Sequence, residues 1–229
     1  MSVVLSTQYY TRTTNLPSIT GYTMMCWAYT TTASAYQSAM CFGLNDPNKY
    51  ESGFSNGNFF FIYNTSSHTG SANSTSTWYH IAVVCSGSGA NQLKLYKDGN
   101  TTADITTDGN ASITAGKFYI GNEFSGDQFL GRIAAVKIWN AALSASEVAA
   151  ERDFAYPVRT SNINGAYLLQ ADVLTDVSGQ GNTLTRNGTG ITTAADPAGV
   201  DFNPISGYNH AIQSYGCQVT PAPIHYIGI

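Results

Sequence analysis

Short runs of apolar and aromatic residues recur along the chain, and clusters of Gly, Asn, Asp and Ser separate them. The runs occupy residues 22–29 (YTMMCWAY), 59–63 (FFFIY), 78–85 (WYHIAVVC), 93–97 (LKLYK), 117–121 (KFYIG), 133–139 (IAAVKIW) and 166–169 (AYLL). The turn-rich segments lie at residues 44–48 (LNDPN), 53–58 (GFSNGN), 86–91 (SGSGAN) and 98–100 (DGN). Many short strands separated by turn signals are typical of a β-sandwich or barrel, so we predict an all-β fold.

One short helix is predicted near the middle of the chain. Ser144 and Glu147 have the spacing of a capping box, in which each side chain accepts a hydrogen bond from a backbone N–H group at the start of a helix. We therefore expect a helix over residues 145–152, ending before Pro157.

The composition limits the classes of partner. Charged residues make up 10% of the 229 residues and the net charge is −4. The ten basic residues are scattered, whereas nucleic-acid binding needs a clustered cationic face, so we expect no nucleic-acid partner. No apolar run reaches the length of about 18 residues that a membrane-spanning helix needs, so we expect no membrane insertion.

The N-terminus and the cysteines bear on the cellular setting. The first residues have no basic segment followed by an apolar stretch, so they predict no signal peptide. Three explanations stay open, namely retention in the cytosol, a trimmed sequence, or release by assembly into a particle. Cys26, Cys41, Cys85 and Cys217 form no C-x-x-C pair, which favours reduced, partly buried thiols over a disulfide framework.

Several motifs occur in a characteristic order. They are WYHIAVV at 78–84, LKLYKDG at 93–99, FYIGN at 118–122, FLGRI at 129–133, VKIWN at 136–140, ALSASE at 142–147 and DVSGQGN at 176–182. In this order the chain resembles the laminin-G-like/pentraxin group of the concanavalin A-like lectin/glucanase superfamily, mainly over residues 20–152. The resemblance implies an antiparallel two-sheet jelly-roll sandwich. We assign residues 1–199 to this domain and residues 200–229 to a C-terminal apolar tail. The core candidates are Trp27, Phe60, Ile81, Val83, Leu95, Ile120, Ile133, Val136, Ile138 and Trp139.

The sequence predicts no enzymatic activity. The G-x-S-x-G pattern at residues 53–57 precedes a strand, whereas a nucleophile elbow needs a strand–turn–helix context. The glucanases of the superfamily carry E-x-D-x-E on one strand, and none of the four glutamates here begins that motif. The four histidines have no metal-ligand spacing.

Calcium is the one cofactor that the resemblance implies. In pentraxins a ligand loop follows the strand ending in Ile-Gly, and the matching residues here are Asn122, Glu123 and Asp127, with Asp46 in a second loop. Calcium needs six to eight oxygen ligands from such loops. The acidic cluster is thinner than in the group, and solvated turns without a metal are the alternative, because Asn and Asp are ordinary turn residues.

The tail is too apolar for an ordinary disordered segment. We predict that it packs on its own domain or docks on other protein chains of a particle or homo-oligomer. The candidate contact residues are Tyr208, Tyr215, Ile224, Tyr226 and Ile229.

The resulting hypothesis is a non-catalytic structural protein at a virion surface, such as a phage capsid decoration or fibre component, that displays a lectin-like domain. The alternative is a glycan-binding lectin or adhesion module in an extracellular or cell-surface setting, with a cell-surface glycan as partner. A divergent glycoside hydrolase is the least favoured option.

Overall fold

Two antiparallel β-sheets account for about half of the residues that the computed structural model describes, which are 1–12, 14–16, 20–34, 36–45, 48–63, 65–109, 116–123 and 126–206. The elements before the helix are β1 (Ser2–Leu5), β2 (Tyr9–Arg12), β3 (Tyr22–Thr30), β4 (Gln37–Asn45), β5 (Asn48–Ser55), β6 (Asn58–Tyr63), β7 (Ser66–Ala72), β8 (Trp78–Cys85), β9 (Gly89–Lys97), β10 (Ile105–Gly109), β11 (Lys117–Ile120) and β12 (Gly131–Trp139). The helix α1 (Ala145–Arg152) and the strands β13 (Ile163–Tyr167), β14 (Leu184–Asn187) and β15 (Thr192–Ala194) follow.

The strand order shows that neighbours in sequence are often separated in space. Sheet I has the order β10-β9-β8-β3-β12-β1-β15, and β13 pairs with β12 beyond the end of β1. Sheet II has the order β14-β2-β11-β4-β5-β6-β7. The predicted antiparallel two-sheet jelly-roll fold is confirmed.

The main core lies between the two sheets. Met24, Val83 and Ile133 come from sheet I, and Phe42, Phe59 and Phe118 come from sheet II. The predicted core residues are all buried, but Trp27, Phe60 and Trp139 lie outside this main cluster. Trp27 and Trp139 instead belong to two smaller clusters on the outer face of sheet I.

The helix has the predicted bounds and the predicted cap. Ser144 accepts a hydrogen bond from the backbone N–H of Glu147, and the Glu147 carboxylate accepts one from the backbone N–H of Ser144. Val148 packs with Trp139 in the cluster between the helix and sheet I. At the other end, the Glu151 carboxylate lies 2.7 Å from the buried Lys137 ammonium on β12.

The G-x-S-x-G segment forms a hairpin, as the sequence predicts, although the turn is shorter than expected. Residues 53–55 belong to β5, and only Asn56 and Gly57 adopt positive φ, at 50° and 77°. A Cβ on Gly53 would lie 2.0 Å from the carbonyl oxygen of Gln37, so that glycine allows the close approach of two strands. The predicted turn at 86–91 is also shorter than expected, because β9 begins at Gly89.

The DVSGQGN motif at residues 176–182 forms a turn around one buried carboxylate. Asp176 accepts hydrogen bonds from the backbone N–H groups of Ala166, Ser178 and Asn182, each at 2.9 Å. The turn is thereby attached to β13.

Cys26, Cys41 and Cys85 are buried thiols that form no disulfide with one another, whereas Cys217 lies outside the described residues. Burial raises the pKa of Cys26 well above its usual value. Within the described part of the chain, no helix is long and apolar enough to cross a membrane.

Candidate functional site

The loop after β11, where calcium ligands are predicted, folds back onto β5. The Lys49 ammonium on β5 lies 3.1 Å from a carboxylate oxygen of Glu123 and 3.1 Å from one of Glu51. The other oxygen of Glu123 accepts a hydrogen bond from the backbone N–H of Asp127 at 3.2 Å. The side chains of both glutamates are 0% exposed, so this is a buried charged cluster.

The ionisation of the cluster follows from burial and from the shared lysine. Burial lowers the pKa of Lys49, but the two carboxylates raise it more strongly, so the lysine stays protonated. Burial also raises the pKa of Glu51 to about 7, although Lys49 opposes this change. One ammonium thus offsets two carboxylates that are fully removed from water.

The described residues do not by themselves supply a calcium site. Asn122 has a buried Oδ1 atom without a hydrogen-bond partner, but Glu123 is engaged by the Lys49 ammonium. No group of three His, Cys, Asp or Glu side chains in the described part of the chain is arranged to hold a metal ion. Asp46 lies outside the described residues, so calcium binding stays a prediction.

A second region, not singled out from the sequence, is an open cleft formed by the connection between β9 and β10. Asp98 and Gly99 turn the chain with positive φ values of 53° and 69°, but β10 resumes only at Ile105. Asp98 accepts a hydrogen bond from the backbone N–H of His80 at 3.0 Å, which attaches the turn to β8. Residues 100–104 therefore project as a loop instead of continuing the hairpin.

The cleft has a volume of about 420 Å³, and its lining residues are polar except for one alanine. The lining residues are Ser71, Lys97, Asn100, Thr101, Thr102, Ala103 and Asp104. Asp104 accepts a hydrogen bond from the backbone N–H of Ser71 at 2.8 Å, which joins the loop to β7. The Lys97 ammonium lies over the rings of Phe59 and Tyr79, with distances of 4.7 and 4.9 Å to the ring centroids.

Several polar groups of the cleft are available to a ligand. Within the described part of the chain, the side chains of Asn100, Thr101 and Thr102 have no hydrogen-bond partner, and all three residues are exposed. In the sequence, the DGNTT segment at residues 98–102 indicates a turn. It does not show which strands the side chains of this turn face, so the cleft was not predicted.

The lining of the cleft suits binding better than hydrolysis. Glycoside hydrolysis needs two carboxyl groups about 5–10 Å apart, and Asp104 is the only carboxylate among the residues that line the cleft. Glu51 and Glu123 form a close carboxylate pair elsewhere, but both side chains are fully buried around Lys49. A substrate oxygen does not reach either group in this arrangement.

The fold and the cleft define a class of protein, a two-sheet jelly-roll domain with an open polar cleft. A known family matches residues 6–149, and it is described as the concanavalin A-like lectin/glucanases superfamily. Because this match covers more than half of the chain, the protein belongs to that superfamily. The predicted resemblance is confirmed. No curated protein matches the chain in sequence.

Two solved structures with the same fold are informative. One is a putative carbohydrate binding protein from Bacteroides ovatus, with a TM-score of 0.66 and 16% identity. The match covers 88% of this chain and 61% of that protein, so this chain spans less than two thirds of its length. The other is the heptameric SAP-like pentraxin from Limulus polyphemus, with a TM-score of 0.56, 12% identity, and coverage of 81% and 93%. At these identities the likeness shows a common fold.

Proposed function

We propose that this domain is a non-catalytic glycan-binding module, and that the cleft between β7 and the 98–104 loop holds the sugar. The observation that carries this proposal is the exposed set of uncommitted polar side chains around a cleft of about 420 Å³. Ligand clefts in proteins typically have volumes of about 300–1,000 Å³. The membership of the superfamily and the fold shared with a putative carbohydrate binding protein support the same function.

The chemistry of the lining matches a polyhydroxylated ligand. A sugar hydroxyl both donates and accepts hydrogen bonds, as do the Thr101 and Thr102 hydroxyls and the Asn100 amide. Asp104 adds an acceptor and Lys97 adds a charged donor. An apolar ligand would leave these groups without partners, at a cost of about 1–3 kcal/mol for each group that it removes from water.

The test is binding to an array of neutral oligosaccharides, followed by calorimetric titration with the best ligand. Asn100→Ala and Thr102→Ala should each weaken binding by about five- to tenfold, since each removes a hydrogen bond of about 1 kcal/mol. Thr185→Ala is the matched control, because Thr185 is an exposed threonine on β14, at the opposite edge of sheet II from β7. No binding at millimolar sugar, or an equal loss in the control, would contradict the proposal.

The absence of catalysis needs a separate assay. Reducing ends should not appear when the wild-type protein is incubated with the oligosaccharide that it binds. Turnover that disappears in Glu51→Gln or Glu123→Gln would show that the buried carboxylate pair becomes accessible, and would make the protein a glycoside hydrolase.

The docking role of the tail remains a hypothesis from the sequence, and its candidate contact residues, from Tyr208 to Ile229, lie outside the described residues. Val200 and Phe202 pack against the cluster around Trp27, and Asp201 pairs with Phe154. Truncation should therefore follow Ser206, so that these contacts are kept. The truncated protein should stay folded and monomeric but fail to join an oligomer or particle. Unfolding, or normal assembly, would contradict a docking role.

A further inference from the structure

Among the residues that the structure describes, the outer face of sheet I is covered along most of its length but not at one end. Helix α1 covers the cluster around Trp139, and the segment that includes Ala155 and Phe202 covers the cluster around Trp27. The next row of side chains across the sheet comes from Trp78, Tyr29 and Arg132. We call these three residues the aromatic–arginine row. All three are half-buried, so each retains surface exposed to solvent.

Strand pairing aligns the three residues of the row. Tyr29 on β3 lies opposite Trp78 on β8 and opposite Arg132 on β12. The rings of Tyr29 and Trp78 are 5.5 Å apart at their centroids and inclined at 57°. The guanidinium carbon of Arg132 lies 4.4 Å from the centroid of the Tyr29 ring, which is a cation–π contact.

Gly131 fixes this arrangement. A Cβ at that position would lie 1.9 Å from the carbonyl oxygen of Tyr29, so only glycine allows β12 and β3 to approach this closely. Arg132 follows directly and is thereby held beside the Tyr29 ring. The guanidinium is positioned by the sheet before any ligand arrives, which reduces the entropy lost on binding.

Arg132 differs from the other four arginines of the chain in its partners. Arg12, Arg152, Arg159 and Arg186 each donate to a protein oxygen. Within the described part of the chain, the side chain of Arg132 has no hydrogen bond and no ion pair, only its contact with the Tyr29 ring. Its N–H donors therefore remain available for an anionic group, and a guanidinium matches a carboxylate through two parallel hydrogen bonds.

We propose that the aromatic–arginine row binds an acidic sugar, with the sugar ring against Trp78 and Tyr29 and its carboxylate on Arg132. Aromatic faces receive the apolar face of a pyranose ring, and a single unpaired guanidinium matches a single carboxylate. The net charge of −4 disfavours a highly charged polymer such as a nucleic acid, which needs clustered cations. This site is formed by side chains other than those of the cleft, and it does not depend on neutral-glycan binding there.

The experiment measures binding of the full-length protein to trigalacturonic acid and to its methyl ester, which keeps the sugar rings and removes the charges. Wild-type protein should bind the acid about ten- to a hundredfold more tightly than the ester, which is the range for a bidentate charged pair. Arg132→Gln should remove this preference. Arg132→Lys should keep only part of it, since lysine retains the charge but loses the planar fork.

Two further variants separate recognition from general effects. Trp78→Phe retains an aromatic ring for packing and should weaken binding of the acid and the ester alike by a few fold. Arg186→Gln is the matched control, because it also removes one positive charge, from an arginine that is paired with Asp172 on another part of the protein. It should leave binding unchanged.

Equal affinity for acid and ester, or an equal loss in Arg186→Gln and Arg132→Gln, would overturn the proposal. Failure of the full-length protein to bind trigalacturonic acid would also overturn the proposal, and would favour a different ligand for the aromatic–arginine row, such as a protein segment. Neutral-oligosaccharide binding should survive Arg132→Gln, and acid binding should survive Thr102→Ala. Failure at one site is therefore distinguishable from failure at the other.

Discussion

Lys137 places a charged ammonium group inside an almost dry part of the protein, and its replacement by methionine should strongly reduce stability. The side chains of Lys137 and Glu151 are each 1% exposed. The Lys137 ammonium donates to the Glu151 carboxylate at 2.7 Å, to the Glu151 carbonyl at 2.7 Å and to the Phe154 carbonyl at 2.8 Å. These three bonds join β12 to the end of α1 and to the segment after it.

The expected cost follows from what Lys137→Met leaves behind. The methionine keeps most of the side-chain volume, but two carbonyl groups lose a donor and the Glu151 carboxylate loses its counter-charge. The backbone N–H groups of Val158 and Arg159 still donate to that carboxylate, at 3.2 and 2.6 Å, so part of its stabilisation remains. Breaking one side of a buried ion pair costs about 3–5 kcal/mol, and we expect a loss in this range.

Urea denaturation followed by tryptophan fluorescence measures the effect. The midpoint should fall with little change in slope, and the melting temperature should fall by roughly 6–20 °C for a chain of this size. The double variant Lys137→Met/Glu151→Gln should recover at least half of the loss, because it no longer buries an unpaired charge. Asp153→Asn is the control, because Asp153 forms an exposed ion pair with Arg152. The side chains of Arg152 and Asp153 are 42% and 54% exposed, and the loss of this pair should cost less than about 1 kcal/mol.

A loss below about 1 kcal/mol in Lys137→Met would refute the reasoning, because the network would then contribute no more than a surface pair. A double variant that is no more stable than the single variant would show that the loss comes from packing and not from the unpaired charge.

Three further predictions concern pH, backbone and metal. The pKa of His80 is lowered from 6.5 to about 3, mainly by burial and then by the charges of Lys137 and Arg152. As the pH falls, the unfolded chain therefore protonates this histidine before the folded protein does. The free energy of unfolding consequently decreases as the pH falls from 6.5 towards 3. From pH 6.5 to 5 this loss is about 2 kcal/mol, and His80→Gln should reduce the slope of the unfolding free energy against pH. Gly53→Ala should destabilise the protein by more than about 2 kcal/mol, because its Cβ would lie 2.0 Å from a backbone oxygen, whereas Gly57→Ala in the same hairpin meets no atom within 4 Å and should cost about 1 kcal/mol. If Asn122, Glu123, Asp127 and Asp46 ligate calcium, a chelator should lower the melting temperature of calcium-loaded protein and excess calcium should restore it.

Each of these predictions has a distinct contrary result. An unchanged pH slope in His80→Gln would show that this histidine titrates normally in the folded protein. Equal losses of stability in Gly53→Ala and Gly57→Ala would show that the close approach of Gly53 to the Gln37 carbonyl is not the cause. A melting temperature that responds to neither chelator nor calcium would contradict calcium binding at these residues.

The sequence by itself determined the elements whose signals are local. The β8 strand and the helix α1 were predicted with the bounds that the structure shows. An apolar run forms a strand wherever it can be buried, and a capping box satisfies backbone groups within four residues, so neither depends on a distant partner. The family motifs added the two-sheet arrangement, because they fix the order in which these elements follow one another.

Polar strands were not predicted from the sequence, because they form through hydrogen bonds to other strands and not through an apolar pattern of their own. Strand β7 has the sequence SSHTGSA and is largely exposed, so it shows no apolar pattern. It forms because the edge of β6 presents unpaired backbone groups at the register that places Phe61 opposite His68. β-Propensity reflects such pairing more than an intrinsic preference of the residues.

Only the tertiary structure decided which polar side chains meet. Lys49 and Glu123 are 74 residues apart, and Arg132 reaches the ring of Tyr29 only because β12 pairs with β3. The strand order depends on the main core, to which both sheets contribute. Charged and aromatic residues on the outer faces are therefore brought together by burial of apolar residues on the inner faces, and a pattern read along one strand cannot show its partners on the next.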